Sequence, residues 1–169
     1  SFDVYSFLVG GNNNSCIAVL GAGQIDKLGN INSTKLTKDL YLTGAGGGTD
    51  ATSTANEVMV VAPQSARRFL DKVFYVTMSG ERVKSLVSSL GIFEKLDGDQ
   101  EFTLTHYFPT AKGETKSVMP MSAEEKLKDI QANCGWQLKV ARDIKEVKPP
   151  TLEELRLLRL LDPRKEFLG

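Results

Sequence analysis

Two short apolar runs, residues 16–20 (Cys-Ile-Ala-Val-Leu) and 40–42 (Leu-Tyr-Leu), lead into glycine. A run too short for a helix and stopped by glycine predicts a strand feeding a loop, a buried strand in the case of residues 16–20. The first loop is residues 20–32, LGAGQIDKLGNIN, and the second is residues 44–50, GAGGGTD. Clustered glycines let a backbone approach a ligand closely, so these loops are where chemistry is expected.

With 169 residues the chain has the usual size of one domain, able to bury roughly two thirds of its unfolded surface. Its 21 Lys and Arg cancel its 21 Asp and Glu, which argues against a general nucleic-acid or membrane binder. No stretch approaches the ~20 apolar residues of a membrane span. The opening Ser1-Phe2-Asp3 lacks the character of a signal peptide, and a start at Ser1 suits a cloned or processed fragment. Cys16 and Cys134 lack CxxC spacing, so neither a disulfide framework nor a zinc site is expected and a reducing cytoplasm is the simpler setting.

Residues 57–62 (EVMVVA) and 74–77 (FYVT) are β-like, separated by a basic amphipathic connector at 65–72. Val83, Leu86, Val87 and Leu90 fall at helical spacing before Gly91, which predicts a short helix over 82–90. Alternation over 101–106 predicts a strand pairing with 117–121 across a turn at Lys112-Gly113. Ser122-Ala-Glu-Glu125 and Thr151-Leu-Glu-Glu154 are capping-box patterns. The first opens a helix ending at Gly135, the second a leucine-rich helix that Pro163 ends, set off by Pro149-Pro150. Alternating strands and helices predict an α/β fold: a three-layer, open, mostly parallel sheet flanked by helices. Residues 1–148 form its body and 149–169 a capping helix and tail. In such sheets, ligands bind at the carboxyl ends of the strands.

The 44–50 loop satisfies neither GxGxxG nor the GK[ST] ending of a phosphate loop, which disfavours dinucleotide and NTPase readings. Gly46, Gly47 and Gly48 still offer unshielded amides suited to an oxyanion, or simply a flexible loop. Gln24, beside Gly23, is either a carbonyl-directed donor or a turn residue. Asp26 and Asp50 orient donors or cap local structure, with capping favoured. Arg67 and Arg68 suit the phosphates of a nucleotide-containing ligand or form a solvated face. His106, the only histidine, has no acidic or nucleophilic motif around it and is assigned no catalytic role; no metal site is expected. Both cysteines lie in apolar patterns, where inert thiols are the rule.

Taken in order, residues 21–32, residues 44–50 and residues 57–62 resemble the β subunit of type I CoA-transferases, glutaconate CoA-transferase β subunits above all. Tyr75-Val76-Thr77, Asn133-Cys134-Gly135-Trp136 and the tail from Pro150 to Leu155 extend the resemblance over nearly the whole chain. The resemblance implies an open α/β fold shared with sugar-phosphate isomerases. It also implies ping-pong transfer of CoA between an acyl-CoA and a carboxylic acid through a glutamyl-CoA thioester. Coenzyme A would be a substrate, with no tightly bound cofactor.

Carried over by position, Gln24 becomes a candidate oxyanion donor, and Gly23, Gly46, Gly47, Gly48, Asp50, Arg67 and Arg68 candidate substrate or CoA contacts. The family's nucleophilic glutamate should precede Ile17, yet no glutamate occurs before Glu57, which begins a strand and does not match that place. The nucleophile is therefore expected outside this chain, in an N-terminal part of the parent or an α-subunit-like half. The leucine-rich helix implies association with that half, in a homo- or hetero-oligomer. The alternatives are a catalytically silent domain that binds acyl-CoA or a partner, and an isomerase-like relative, for which Asp26 and Asp50 make a poor acid–base pair.

Overall fold

A computed structural model of the chain describes residues 9–10, 15–109 and 121–166. Six strands form the main sheet: β1 (Ile17–Leu20), β4 (Glu57–Ala62), β6 (Val83–Ser88), β7 (Gly91–Glu94), β8 (Thr103–Tyr107) and β9 (Lys139–Glu146), in the order β1-β4-β6-β7-β8-β9. β1, β4 and β6 run parallel, β7 is antiparallel to both its neighbours, and β9 returns parallel to β8. A smaller sheet, ordered β3-β2-β5, holds β2 (Gln24–Asp26), β3 (Ile31–Asn32) and β5 (Phe69–Leu70). Three helices complete the fold: α1 (Gly48–Thr54), α2 (Ala123–Ala132) and α3 (Leu152–Leu161). The α/β class and the mostly parallel sheet with flanking helices agree with the sequence.

The core lies between the two sheets. Ile25, Ile31 and Phe69 of the small sheet join Val58, Val60, Val83, Leu86, Phe93 and Leu104 of the large one, closed by Ile130 of α2 and by Trp136. Phe69 stacks on Trp136 at 5.6 Å and 10°, and Phe93 meets the indole edge-on. Both capping boxes form: the Ser122 and Thr151 hydroxyls accept from the amides of Glu125 and Glu154, whose carboxylates accept in return from the cap amides. Those bonds hold both carboxyls below the ordinary glutamate range.

Four sequence expectations change. Residues 82–90 hold strand β6, not a helix: the chain is clasped between β4 and β7, and Gly91 opens β7 instead of ending a helix. Residues 40–42 make only a single bridge, Lys35 to Tyr41, so the second glycine loop does not follow a strand. Residues 74–77 are irregular, with Phe74, Tyr75 and Val76 exposed. The basic connector at 65–72 is a turn and then β5. The turn at Lys112-Gly113, and all of the 117–121 strand save Met121, lie outside the described residues.

β1 is also no buried strand. It is the sheet edge, and Ile17 and Val19 are 61% and 62% exposed. In-register pairing places them on one face with Met59, and continues that face to Val61 and Val87. Ile17, Val19 and Val61 thus show apolar side chains to solvent on one face of β1 and β4, an unusual state for parallel strands.

Candidate functional site

The parallel strands β1, β4 and β6 point their carboxyl ends the same way, and their loops build one edge. Gln64, just past β4, fastens that edge. Its amide N–H donates to Ser89 Oγ, its side-chain oxygen accepts from Ser88 Oγ, and its Nε2 donates to the Ile130 carbonyl of α2. The side chain is buried with every polar atom engaged, so the loops rest on a fixed support.

Beyond β1 the chain turns through Gly21, Ala22 and Gly23 into Gln24. A Cβ on Gly23 would fall 2.8 Å from the Asn32 carbonyl oxygen and 2.9 Å from Leu42 Cδ1; the loop closes here only because the side chain is absent. Gln24 Oε1 accepts from Asn32 Nδ2 at 2.8 Å, while Gln24 Nε2 donates to the Arg67 carbonyl at 3.4 Å. The first bond sets which end of the carboxamide faces inward. The amide group is left at the outer end, with a second N–H for another acceptor.

Asn32 fixes this arrangement. Fully buried, it donates to Gln24 Oε1 and the Lys35 carbonyl and accepts from the amides of Thr34 and Lys35. Its neighbour Ser33 receives the amides of Thr43 and Gly44 on its carbonyl and gives its own to Thr77 Oγ1. The approach to the second glycine loop is thereby laid beside Gly23. Gly44 and Gly46 take left-handed backbone angles, φ 137° and 53°, which swing the chain into α1. Gly46 and Gly47 are exposed, and the Gly48 amide turns inward to the Ala45 carbonyl. A cleft of about 260 Å³ runs along α1, lined by the hydroxyls of Thr49, Thr52, Ser53, Thr77 and Ser79 and by Arg82.

The structure brings Gly23, Gln24 and Arg67 together, with the approach to 44–50 alongside. Arg68 is turned toward the Pro63 carbonyl. Asp50 sits exposed in the first turn of α1. Asp26 is a structural residue: buried, it accepts from the amides of Leu28, Asn30 and Val73 and from Asn30 Nδ2, fixing the β2–β3 turn. Glu57 begins β4, six residues from the loop edge, or roughly 17 Å of extended chain. His106 lies within β8, its Nδ1 against Thr105 Oγ1. Cys134 is buried, and burial pushes its thiol up to about 11. Asn32 and Thr77 escaped sequence reading; a buried asparagine between two glycine loops carries no local pattern of its own.

No family model matches the chain. It is 30% identical over 167 residues to the β subunit of 3-oxoadipate CoA-transferase from Pseudomonas knackmussii, covering 88% of this chain and 59% of that protein. It is 27% identical to the β subunit of glutaconate CoA-transferase from Acidaminococcus fermentans, covering 92% and 60%. This chain is a relative of CoA-transferase β subunits. It spans about 60% of the length of these relatives. The fold agrees: the glutaconate CoA-transferase structure from A. fermentans superposes with TM-score 0.77 at 24% identity, over 99% of this chain and 66% of the other. The decarboxylase AibA/AibB superposes at 0.75 and 22% identity, over 98% and 62%. The same fold thus occurs in solved structures named as a CoA-transferase and as a decarboxylase. Among the described residues, no helix is long and apolar enough to cross a membrane.

Proposed function

We propose that this chain forms the glycine-loop side of the acyl-CoA site of a CoA-transferase, an enzyme moving CoA between an acyl-CoA and a carboxylic acid. The nucleophilic glutamate is supplied from outside these 169 residues, by an N-terminal part of the parent or an α-subunit-like half. The observation that carries this reading is the Gln24 carboxamide, oriented by Asn32 between two glycine loops at the sheet's carboxyl edge. When a carboxylate attacks a thioester, the carbonyl oxygen gains charge, and donors already in place stabilise it without reorganising. Gln24 Nε2 and the exposed backbone of Gly46 and Gly47 provide such donors, while Gly48, whose amide is held by the Ala45 carbonyl, closes the turn into α1. Gly23 allows close approach, and Arg67, whose carbonyl meets Gln24, is suited to CoA phosphates, whereas Arg68, turned to the Pro63 carbonyl, and Asp50, exposed on α1, lie to the side of it. The reducing cytoplasm suits the chemistry.

In the full-length parent, Gln24→Ala should slow formation of the glutamyl-CoA thioester by about 10²–10³, the usual effect of losing one oxyanion donor. Incubation with acyl-CoA and trapping by borohydride or hydroxylamine reads this directly, and Gly47→Val should act in the same direction. Normal thioester kinetics in Gln24→Ala would remove the donor role. The same trap separates the reactions this fold supports. A transferase parent is labelled, whereas a silent acyl-CoA-binding domain or a decarboxylase leaves no enzyme thioester. The isolated chain should be inert.

A further inference from the structure

We propose that Lys35 is a specificity-determining residue of the candidate site, its ammonium receiving a second carboxylate carried by the acyl group or by the acceptor acid, so that the preferred substrates are dicarboxylic. The inference rests on the transferase reading and names its substrate class. Lys35 lies in the turn after β3 and is half-buried. Its ammonium sits 4.8 Å from the centre of the Tyr41 ring and 5.8 Å from that of Tyr75, inside the range over which a ring face attracts a cation. Lys27, Lys126, Lys139 and Lys145 are paired with carboxylates, but Lys35 meets no acidic side chain among the described residues. Tyr41 holds the Lys35 pKa above the ordinary lysine value, chiefly through hydrogen bonding. The group is a cation still open to an anion.

The fold ties this cation to Gln24. Asn32 Nδ2 donates both to Gln24 Oε1, at 2.8 Å, and to the Lys35 carbonyl, at 2.5 Å, while the Lys35 amide donates to Asn32 Oδ1 at 3.1 Å. One side chain therefore positions the carboxamide and the lysine together. The rings are fixed with them. A bridge pairs Lys35 with Tyr41. Thr77, two residues past Tyr75, accepts the Ser33 amide on its hydroxyl and shares a 2.9 Å hydrogen bond with Thr34 Oγ1. Leu42, next to Tyr41, brings its Cδ1 to 2.9 Å from where a Gly23 Cβ would stand, an apolar neighbour for methylene groups.

Gln24 is on the central strand of the small sheet, with Arg67 on the β5 side and Asn32 and Lys35 on the β3 side. A thioester whose carbonyl lies at Gln24 Nε2 sends its CoA arm one way and its acyl chain the other. CoA phosphates stand a whole pantetheine arm from that carbonyl, whereas Lys35 is one asparagine away. The anion within its reach is therefore on the acyl side. Two ring faces already restrict the lysine's rotamers, so little ordering is left for binding to impose.

The test follows enzyme thioester formation by the full-length parent with glutaryl-CoA and with valeryl-CoA, which differ by a terminal carboxylate in place of a methyl group. The wild type should favour glutaryl-CoA in kcat/KM by about 10–100-fold, the effect of one hydrogen bond to a charged group. Lys35→Met keeps an apolar stem and drops the charge. It should remove that advantage while reaction with valeryl-CoA and inhibition by free CoA stay as they were, and Lys35→Arg should keep most of it. Equal rates with the two esters in the wild type, an equal loss of both in Lys35→Met, or an advantage that survives Lys35→Met would each overturn the subsite. Weaker inhibition by free CoA with the glutaryl preference intact would put the ammonium on a CoA phosphate, against the proposal. A parent that forms no thioester with either ester removes the transferase reading, and the subsite with it.

Discussion

At the scale of single residues, Asp26 and Gln24 exchange the weight that position alone would give them. Asp26 ends the first glycine stretch's strand and could pass for an acid–base group, but four N–H bonds hold it in the turn. Asp26→Ala should cost about 2–4 kcal/mol, because it strands several buried donors at once. Urea unfolding checks this, and a loss under 1 kcal/mol would contradict the role assigned. That Asp26 caps local structure was legible from the Asp-x-x-Gly-Asn spacing, because the bonds span at most four residues apart from Val73. That Gln24 is oriented by Asn32 was not legible, since the two meet only once β2 and β3 pair.

At the scale of elements, the capping boxes and the 57–62 strand held, while the short runs at 40–42 and 74–77 and the helix over 82–90 did not. Both capping boxes were readable because donor and acceptor are three residues apart. Residues 57–62 were readable because a β-branched run has no helical alternative there. The spacing of Val83, Leu86, Val87 and Leu90 fits a helical face, but all save Leu90 sit in a strand between two others in which Ser85 and Ser88 are buried beside Val83 and Leu86 while Val87 is half-buried, so no strict apolar alternation marks it. Only the pairing partners, β7 a few residues on and β4 earlier in the chain, decide between the two. Ser122→Ala should destabilise α2 by about 1 kcal/mol in thermal unfolding. The Glu125 carboxyl is depressed in the folded state by the Ser122 amide and hydroxyl, so its contribution is present above the unfolded glutamate pKa. It is lost as pH falls through the folded value. Glu125→Gln should flatten that part of the stability profile below about pH 4.3, and an unchanged acid limb would count against the bond.

At the scale of the whole molecule, the sheet face carrying Ile17, Val19, Met59, Val61 and Val87 sets apolar composition against exposure. Contiguous apolar surface of this kind drives association in water. The double change Val19→Lys with Val61→Lys should raise the solubility of the isolated chain and reduce binding of a hydrophobic dye. Stability should move by less than about 0.5 kcal/mol per site, as for surface positions. An equal loss of stability and dye response would mean the face is covered after all.

The Gln64 clasp joins parts of the chain that lie far apart in sequence. Its Nε2 reaches the Ile130 carbonyl, 66 residues further along the chain, while its oxygen serves the end of β6, 24 residues on. The nearer loop closes at lower entropic cost than the longer one. The contact with α2 therefore carries the larger loop-closure cost, and one buried carboxamide ties both loops to the same point of the sheet edge.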